Sequence, residues 1–397
     1  MNELPAFERE PYLTELETSV LRVGEDGGRP YAVLADSILY PEGGGQPPDH
    51  GFLGEVAVID VQKAGGEVRH YLAGPAAPGP ARLRLQWPRR FDHMQQHTGQ
   101  HLLTAVARDR FGWETTAFHL GEEVSDIELD VAQVTPAERE QLEEAVAAEI
   151  RRARPVTCRR VGPEALAGLN VRSRGLPAGF QGEVRLVEIQ GLDLNTCGGT
   201  HLSSTGELEA MALLGSEPVR GGTRLFFVAG GRLRHRLGAH EQRNAALRTL
   251  LGAPDGGLAA AVAGRMEQQR ELEKRLRSLE DELGELLAAT LADQPQAWVE
   301  RHFEGKDASF LQRAARQVVA RAPGKTVFLT GTQEGQSFFL LASGPTAPMD
   351  IAALGREIAG LLSGRGGGSG KLFQGKTGSL AGRDQVLALL RAAGEAL

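Results

Sequence analysis

Apolar and polar residues change rhythm several times along the 397-residue chain, and each change marks a different kind of element. Across residues 10–90 the apolar positions alternate or run short, in "YAVLADSILY", "GEVAVIDVQ", "VRHYLAG" and "ARLRLQW", with Gly and Pro between them. Period-two runs broken by turn formers predict strands, here a small glycine-rich barrel or sandwich. The rhythm lengthens at "FDHMQQHTGQHLLTAVARDRFG", where Leu102, Leu103, Val106 and Phe111 are available for burial at helical spacing. Asp92 is a fair N-cap for this helix and Gly112 a fair stop. Further on, "DIELDV", "PVTCRRV", "EVRLVEIQ" and "TRLFFVAGG" predict strands, and "TPAERE" opens a helix with Thr135 at the cap. Strands and helices mixed in this way predict an α+β core.

A third rhythm follows. "MEQQRELEKRLRSLEDELGELLAATL" places Leu272, Leu276, Leu279, Leu283 and Leu286 at alternating steps of four and three. That is a heptad seam with charged flanks, and it fits either an intramolecular helical hairpin or a homodimer through a coiled coil. Strands such as "KTVFLTG" and "QSFFLLAS" then mix with helices, and "GRGGGSGKLFQGKTGS" (364–379) is glycine-rich without the P-loop pattern. The expected class is α+β, in four parts. A glycine-rich β-barrel-like domain (1–88) precedes an α+β core (89–231), a helical coiled-coil linker (232–298) and a C-terminal α/β domain (299–397).

Composition narrows the function. With 41% hydrophobic and 24% charged residues the chain reads as soluble and globular, and no apolar run is long enough to span a bilayer. The N-terminal stretch lacks the apolar core of a signal peptide, which favours the cytoplasm. A net charge of −7 argues against wholesale coating of DNA, although "EIRRARP", "TCRRV" and "GGRLRHRLGAH" could supply a local basic face. The two cysteines, Cys158 and Cys197, exclude a disulfide scaffold; Cys158, in a strand-like run, reads as a small apolar filler.

Candidate chemistry lies in "HMQQHTGQHLL". His93, His97 and His101 stand four apart, a spacing that turns through about 400° and stacks them on one helix face. Roughly a hundred residues later comes "CGGTH", Cys197 to His201. One His-x-x-x-His and one Cys-x-x-x-His together offer three imidazoles and a thiolate, a set suited to Zn²⁺. Spacing does not separate His93/His97 from His97/His101. His101 leads into Leu102 and Leu103, deeper in the apolar part of the helix, which favours the second pair and leaves His93 as a surface residue or one behind the ligands. A Cys197 nucleophile with His201 as base lacks an orienting third residue. A metalloprotease lacks the Glu that His-Glu-x-x-His requires.

"LYPEGGGQPPDHG", "RRFDHMQQHTGQHLLTAV", "NTCGGTH" and "GRGGGSGKLFQGK" occur in order from about Leu39 to the C-terminus. In these motifs the chain resembles the freestanding alanyl-tRNA editing proteins, the AlaX family in its long form, related to the editing domain of alanyl-tRNA synthetase. The resemblance implies a zinc site on His97, His101, Cys197 and His201 and a C-terminal DHH-associated domain. It also implies ATP-independent hydrolysis, in trans, of mischarged tRNA, chiefly Ser-tRNA(Ala) with Gly-tRNA(Ala) beside it, and neither DNA nor membrane as partner. Ser-tRNA(Thr) is the runner-up substrate. A non-catalytic tRNA-binding protein with structural zinc is the rival reading. Gln46 in the glycine loop and Gln100, where synthetase editing domains usually carry Thr, are expected to touch the aminoacyl group. Lys371 and Lys376 are candidates for phosphate contacts.

Overall fold

In the computed structural model, which describes residues 4–395 apart from 167, 170 and 173–181, the first alternating runs close into a barrel. A one-turn helix, α1 (Ala6–Arg9), precedes β1 (Glu15–Asp26), β2 (Arg29–Leu34), β3 (Gly51–Leu53), β4 (Val56–Ala64), β5 (Glu67–Leu72) and β6 (Gly79–Leu85). These antiparallel strands pair in the order β1-β2-β5-β4-β3-β6 and return to β1. Val20, Ala32, Leu34, Val58, Val61, Leu72 and Leu83 fill the interior. Closure leaves no unpaired sheet edge to manage.

The histidine stripe lies on α2 (Trp87–Phe111). This helix begins five residues before the expected cap. Pro88 sits in its first turn, where a missing N–H costs nothing. Asp92 is therefore mid-helix, and its carboxylate pairs with Arg232 at 2.7 Å rather than capping the backbone. Gly112 ends the helix in the left-handed conformation, φ 73°.

Around α2 fold β7 (Thr115–Leu120), β8 (Ser125–Leu129), α3 (Pro136–Arg151), β9 (Val156–Val161), α4 (Pro163–Leu166), β10 (Val184–Ile189), β11 (Asp193–Thr196), β12 (Met211–Val219) and β13 (Gly222–Ala229). They form one sheet in the order β12-β13-β8-β7 and another in the order β11-β10-β9. Thr135 and Glu138 make a reciprocal capping box at the start of α3. Met94, Leu102, Leu103 and Val106 of α2 pack with Ile127, Leu142, Val187 and Phe227, so the site helix is embedded in the main core. Cys158 does not fill this core. It is exposed on β9, and its sulfur accepts a hydrogen bond from Arg185 Nη2 at 3.1 Å.

Barrel and core are tied by a buried ion pair. Arg90 and Asp49 are both 0% exposed. Arg90 Nε donates to Asp49 Oδ2 at 2.9 Å, Nη1 to Pro11 O at 2.7 Å and Nη2 to Ile38 O at 2.6 Å. Asp49 Oδ2 also accepts the Tyr40 N–H at 2.7 Å, which anchors the glycine loop beside α2.

Two compact units divide the chain, Met1–Ala246 and Leu247–Leu397, with α5 (Gly231–Leu251) running into the division. The second unit holds α6 (Leu258–Ala292), β14 (Trp298–Glu304), α7 (Ala308–Arg321), β15 (Thr326–Gln333), β16 (Gln336–Ser343), α8 (Ile351–Leu361), β17 (Arg365–Ser369), β18 (Leu372–Thr377) and α9 (Arg383–Glu395). Its sheet runs β14-β15-β16-β18-β17, with β14 and β15 parallel. Ala288 and Leu291 of α6 join the core of this unit with Phe310 and Leu311 of α7. The heptad leucines face elsewhere: Leu272, Leu276, Leu279, Leu283 and Leu286 are 40–70% exposed. Lys371 Nζ donates to Ala347 O at 3.0 Å, while Lys376 lies over the Phe338 ring. No helix of the described residues is long and apolar enough to cross a membrane.

Removing one member of the Arg90–Asp49 pair strands the other as a buried charge, which costs about 3–5 kcal/mol. Arg90→Met is expected to lower the urea unfolding midpoint by that equivalent. The double variant with Asp49→Leu recovers most of the loss. Additive losses in the double-mutant cycle would contradict the coupling.

Candidate functional site

Two elements deliver the site. His97 and His101 project from α2, and Cys197 and His201 come from the turn after β11. Their ligand atoms all lie within 4.8 Å of one another. Cys197 Sγ is 3.3 Å from His97 Nε2 and 3.3 Å from His201 Nε2. The imidazole centroids are 4.4–5.2 Å apart. A tetrahedral ion with ordinary Zn–N and Zn–S bonds has nitrogen–sulfur edges of about 3.5 Å, so these spacings fit a metal between the four groups. His97, His101 and His201 are 0–4% exposed. Three rings and a thiol this close in an apolar core need a cation or a shared proton to satisfy them. His93 lies outside the cluster. It is buried rather than at the surface, only 5% exposed, with Nδ1 unpartnered, and burial pushes its pKa down to about 3.

The outward nitrogen of each ligand ring meets a protein oxygen. His97 Nδ1 is 2.8 Å from Gln46 Oε1, His201 Nδ1 is 3.2 Å from Thr98 Oγ1, and His101 Nδ1 is 3.5 Å from Asp193 Oδ2. These contacts set the rings so that Nε2 points at the centre. Burial works against charge on His101, but Asp193 and Cys197 outweigh it and raise the pKa to about 9. Burial likewise opposes a Cys197 thiolate. His97 and His201 prevail and hold the thiol well below its ordinary value, the protonation state a metal requires.

Gln46 is not on the cavity wall. Its side chain is 0% exposed, and besides holding His97 its Oε1 accepts the Thr200 N–H at 3.0 Å while Nε2 donates to Thr200 Oγ1 at 2.9 Å. It clamps the helix ligand to the Cys-Gly-Gly-Thr-His turn. The second glycine of that turn has no alternative: a Cβ on Gly199 would sit 2.3 Å from His97 Cε1 and 2.7 Å from Gln46 Oε1. Arg185 Nη1 fixes the turn from outside by donating to Cys197 O at 2.9 Å and Gly199 O at 2.7 Å.

A cavity of about 490 Å³ opens on the cluster, lined among others by His97, His101, Cys197, Gly45, Gln100 and Arg172. Gln100, 4% exposed, is among the residues that line this cavity. Its Nε2 donates to Thr104 Oγ1 at 3.0 Å, Thr115 Oγ1 adds a second hydroxyl at 3.1 Å from Thr104, and Gln100 Oε1 has no partner among the described residues. Gly45 keeps the opening clear. It takes φ +82°, and a Cβ there would lie 2.8 Å from the Phe118 ring. Asp193, Thr98, Arg185 and Arg172 escaped the sequence reading, because each acts through a contact between segments remote in the chain. Only the place of Asp193, on the approach to Cys197, hinted at a role.

Residues 184–226, which include Cys197 and His201, match the family described as the threonyl and alanyl tRNA synthetase second additional domain. Over 364 residues the chain is 36% identical to alanyl-tRNA editing protein Aarsd1 of Danio rerio, covering 90% of this chain and 87% of that protein. It is 35% identical over 403 residues to Aarsd1 of Mus musculus, covering 97% of this chain and 96% of that protein. Alanine--tRNA ligase of Pyrococcus abyssi is 28% identical over 391 residues, and the match spans 93% of this chain but only 41% of the ligase. Barrel, core and the three-histidine, one-cysteine cluster thus define a protein of the synthetase editing-domain class. At these identities and coverages the chain belongs to the Aarsd1 family of alanyl-tRNA editing proteins.

Metal analysis of single variants tests the ligand set. His101→Asn and Cys197→Ala are expected to drop bound metal from about one per chain to a small fraction, whereas His93→Asn keeps it. Loss of metal in the His93 variant with retention in the His101 variant would move the site one helical turn.

Proposed function

We propose that this chain is a trans-acting, zinc-dependent aminoacyl-tRNA deacylase that hydrolyses Ser-tRNA(Ala) first and Gly-tRNA(Ala) second. The observation that carries this reading is Gln100 Oε1, buried and without a partner among the described residues, on a side chain that lines the same cavity as His97, His101 and Cys197 of the cluster. The curated relatives named as alanyl-tRNA editing proteins support it. His97, His101, Cys197 and His201 would hold the ion. When bound, zinc supplies Lewis acidity and a fixed positive charge next to the ester.

The protein's own residues do the sorting. Gln100 Oε1 is a ready acceptor for the serine β-hydroxyl, and Thr104 and Thr115 extend the polar lining beside it. An alanyl group has no hydroxyl and leaves that acceptor unpaired, a penalty of about 1–3 kcal/mol. A synthetase pocket built for alanine cannot reject serine nearly so well, which is the reason for a second sieve. Gln46, Thr98 and Asp193 hold the ligand rings, so the ester meets a preformed site rather than one assembled on binding. Exposed Arg234, Arg236 and His240 on α5 give the tRNA backbone a basic surface near this unit's edge.

A deacylation panel decides the substrate. Ser-tRNA(Ala) is expected to lose its ester fastest, Gly-tRNA(Ala) more slowly, and Ala-tRNA(Ala) to be spared; Gln100→Leu lowers kcat/KM for the seryl ester by about 10- to 100-fold. Faster turnover of Ser-tRNA(Thr) would reassign the tRNA, and no hydrolysis of any ester would favour a binding protein with structural zinc.

The heptad seam of α6 is proposed to pair with a second copy. In an antiparallel pairing that sets Leu276 against Leu279 of the other copy, and Leu272 against Leu283, exposed Arg275 falls opposite exposed Glu282. Light scattering is expected to give a dimer that Leu276→Glu with Leu279→Glu converts to a monomer. A monomeric wild-type chain would refute the pairing.

A further inference from the structure

From Arg172 we infer a phosphate clamp: a guanidinium in the cavity wall that binds the phosphodiester leading into the 3′-terminal aminoacyl nucleoside. The inference rests on the deacylase reading and adds the second point at which the substrate is gripped.

Arg172 is held from two directions. Its N–H donates to Leu194 O at 2.7 Å and its carbonyl accepts from Thr196 N at 3.4 Å, so its backbone lies alongside β11 as an added rung. Its Nη2 lies 3.4 Å from Asp193 Oδ1, and Asp193 turns its other oxygen to His101. Two donors remain. Nε and Nη1 are buried and have no partner among the described residues, although the side chain lines the cavity. A guanidinium with idle donors costs stability unless something completes it, and its permanent charge and remaining N–H groups suit the oxygens of a phosphate.

Charge selects the phosphate over the acyl carbonyl: a fixed cation is matched by the anion that the nucleotide carries, not by a neutral ester. Arg172 is joined to the cluster through the Asp193 carboxylate, which lies 3.4 Å from Arg172 Nη2 and 3.5 Å from His101 Nδ1. Phe118, which lies 6.2 Å from His97 between ring centroids, offers an apolar face within the same cavity. The shared Asp193 gives the clamp a second effect. Engaging Arg172 sets the carboxylate that orients a ligand ring, so grip on the nucleotide and order at the metal are linked through one side chain.

The test compares the 3′-seryl esters of adenosine and of adenosine 5′-monophosphate, two substrates that differ only in the phosphate. Wild-type protein is expected to hydrolyse the phosphorylated ester with a kcat/KM about 10- to 100-fold higher. Arg172→Ala should erase that preference, with the larger loss falling on the phosphorylated ester, and Arg172→Lys, which keeps the charge but not the planar set of donors, should fall between. Metal content at the wild-type level in both variants certifies an intact site. Equal losses on the two esters, or a wild-type enzyme indifferent to the phosphate, would overturn the clamp and leave the deacylase reading standing. Wild-type inactivity on both these esters and Ser-tRNA(Ala) would bring down both.

Discussion

The first unit is arranged around one constraint: three imidazoles with almost no exposure to solvent must stay side by side with a cysteine sulfur. Polar groups with 0–4% exposure are costly unless every nitrogen has a partner. The inner nitrogens face the common centre, and the outer ones meet Gln46, Thr98 and Asp193. Those three residues come from the barrel's glycine loop, the site helix and the strand leading to the cysteine. The barrel is therefore part of the site. It carries the loop that holds His97 in register with the Cys-Gly-Gly-Thr-His turn, and the Arg90–Asp49 pair fixes that loop against α2.

This arrangement separates rigidity from recognition. Gln46 is consumed by the scaffold, whereas Gln100, on the same helix as two ligands, lines the cavity and has an Oε1 without a partner among the described residues. Arg172 likewise keeps Nε and Nη1 without partners among those residues. A small aminoacyl group and a nucleotide phosphate would then be read by different residues, with the ester positioned between them. Specificity for a side chain as small as serine gains from such a division, because one hydroxyl contact has to be measured against an otherwise fixed substrate.

Much of this was legible in the sequence, and the gaps have physical causes. The alternating runs foretold the barrel because a half-buried strand must alternate, and the four-residue histidine spacing foretold one face of a helix. Burial of Leu102 and Leu103 chose His101 over His93 for the same reason that it hides the ring itself. Asp92 misled as a cap because its side chain has the right chemistry; Pro88, with equal claim to a first turn, starts the helix earlier and frees Asp92 for Arg232. Gln46 and Asp193 could not be placed, since their partners lie 51 and 92 residues away and no local pattern records such a meeting. His93 reads as a surface residue or one behind the ligands, and it proves buried, with Arg232 and His50 from remote segments near it, neighbours that the helix's own periodicity does not record.

X-ray absorption at the zinc edge of the protein as purified examines the central claim most directly. The account predicts a shell of three nitrogens near about 2.0 Å and one sulfur near about 2.3 Å. A shell without sulfur, or with two sulfurs, would contradict it.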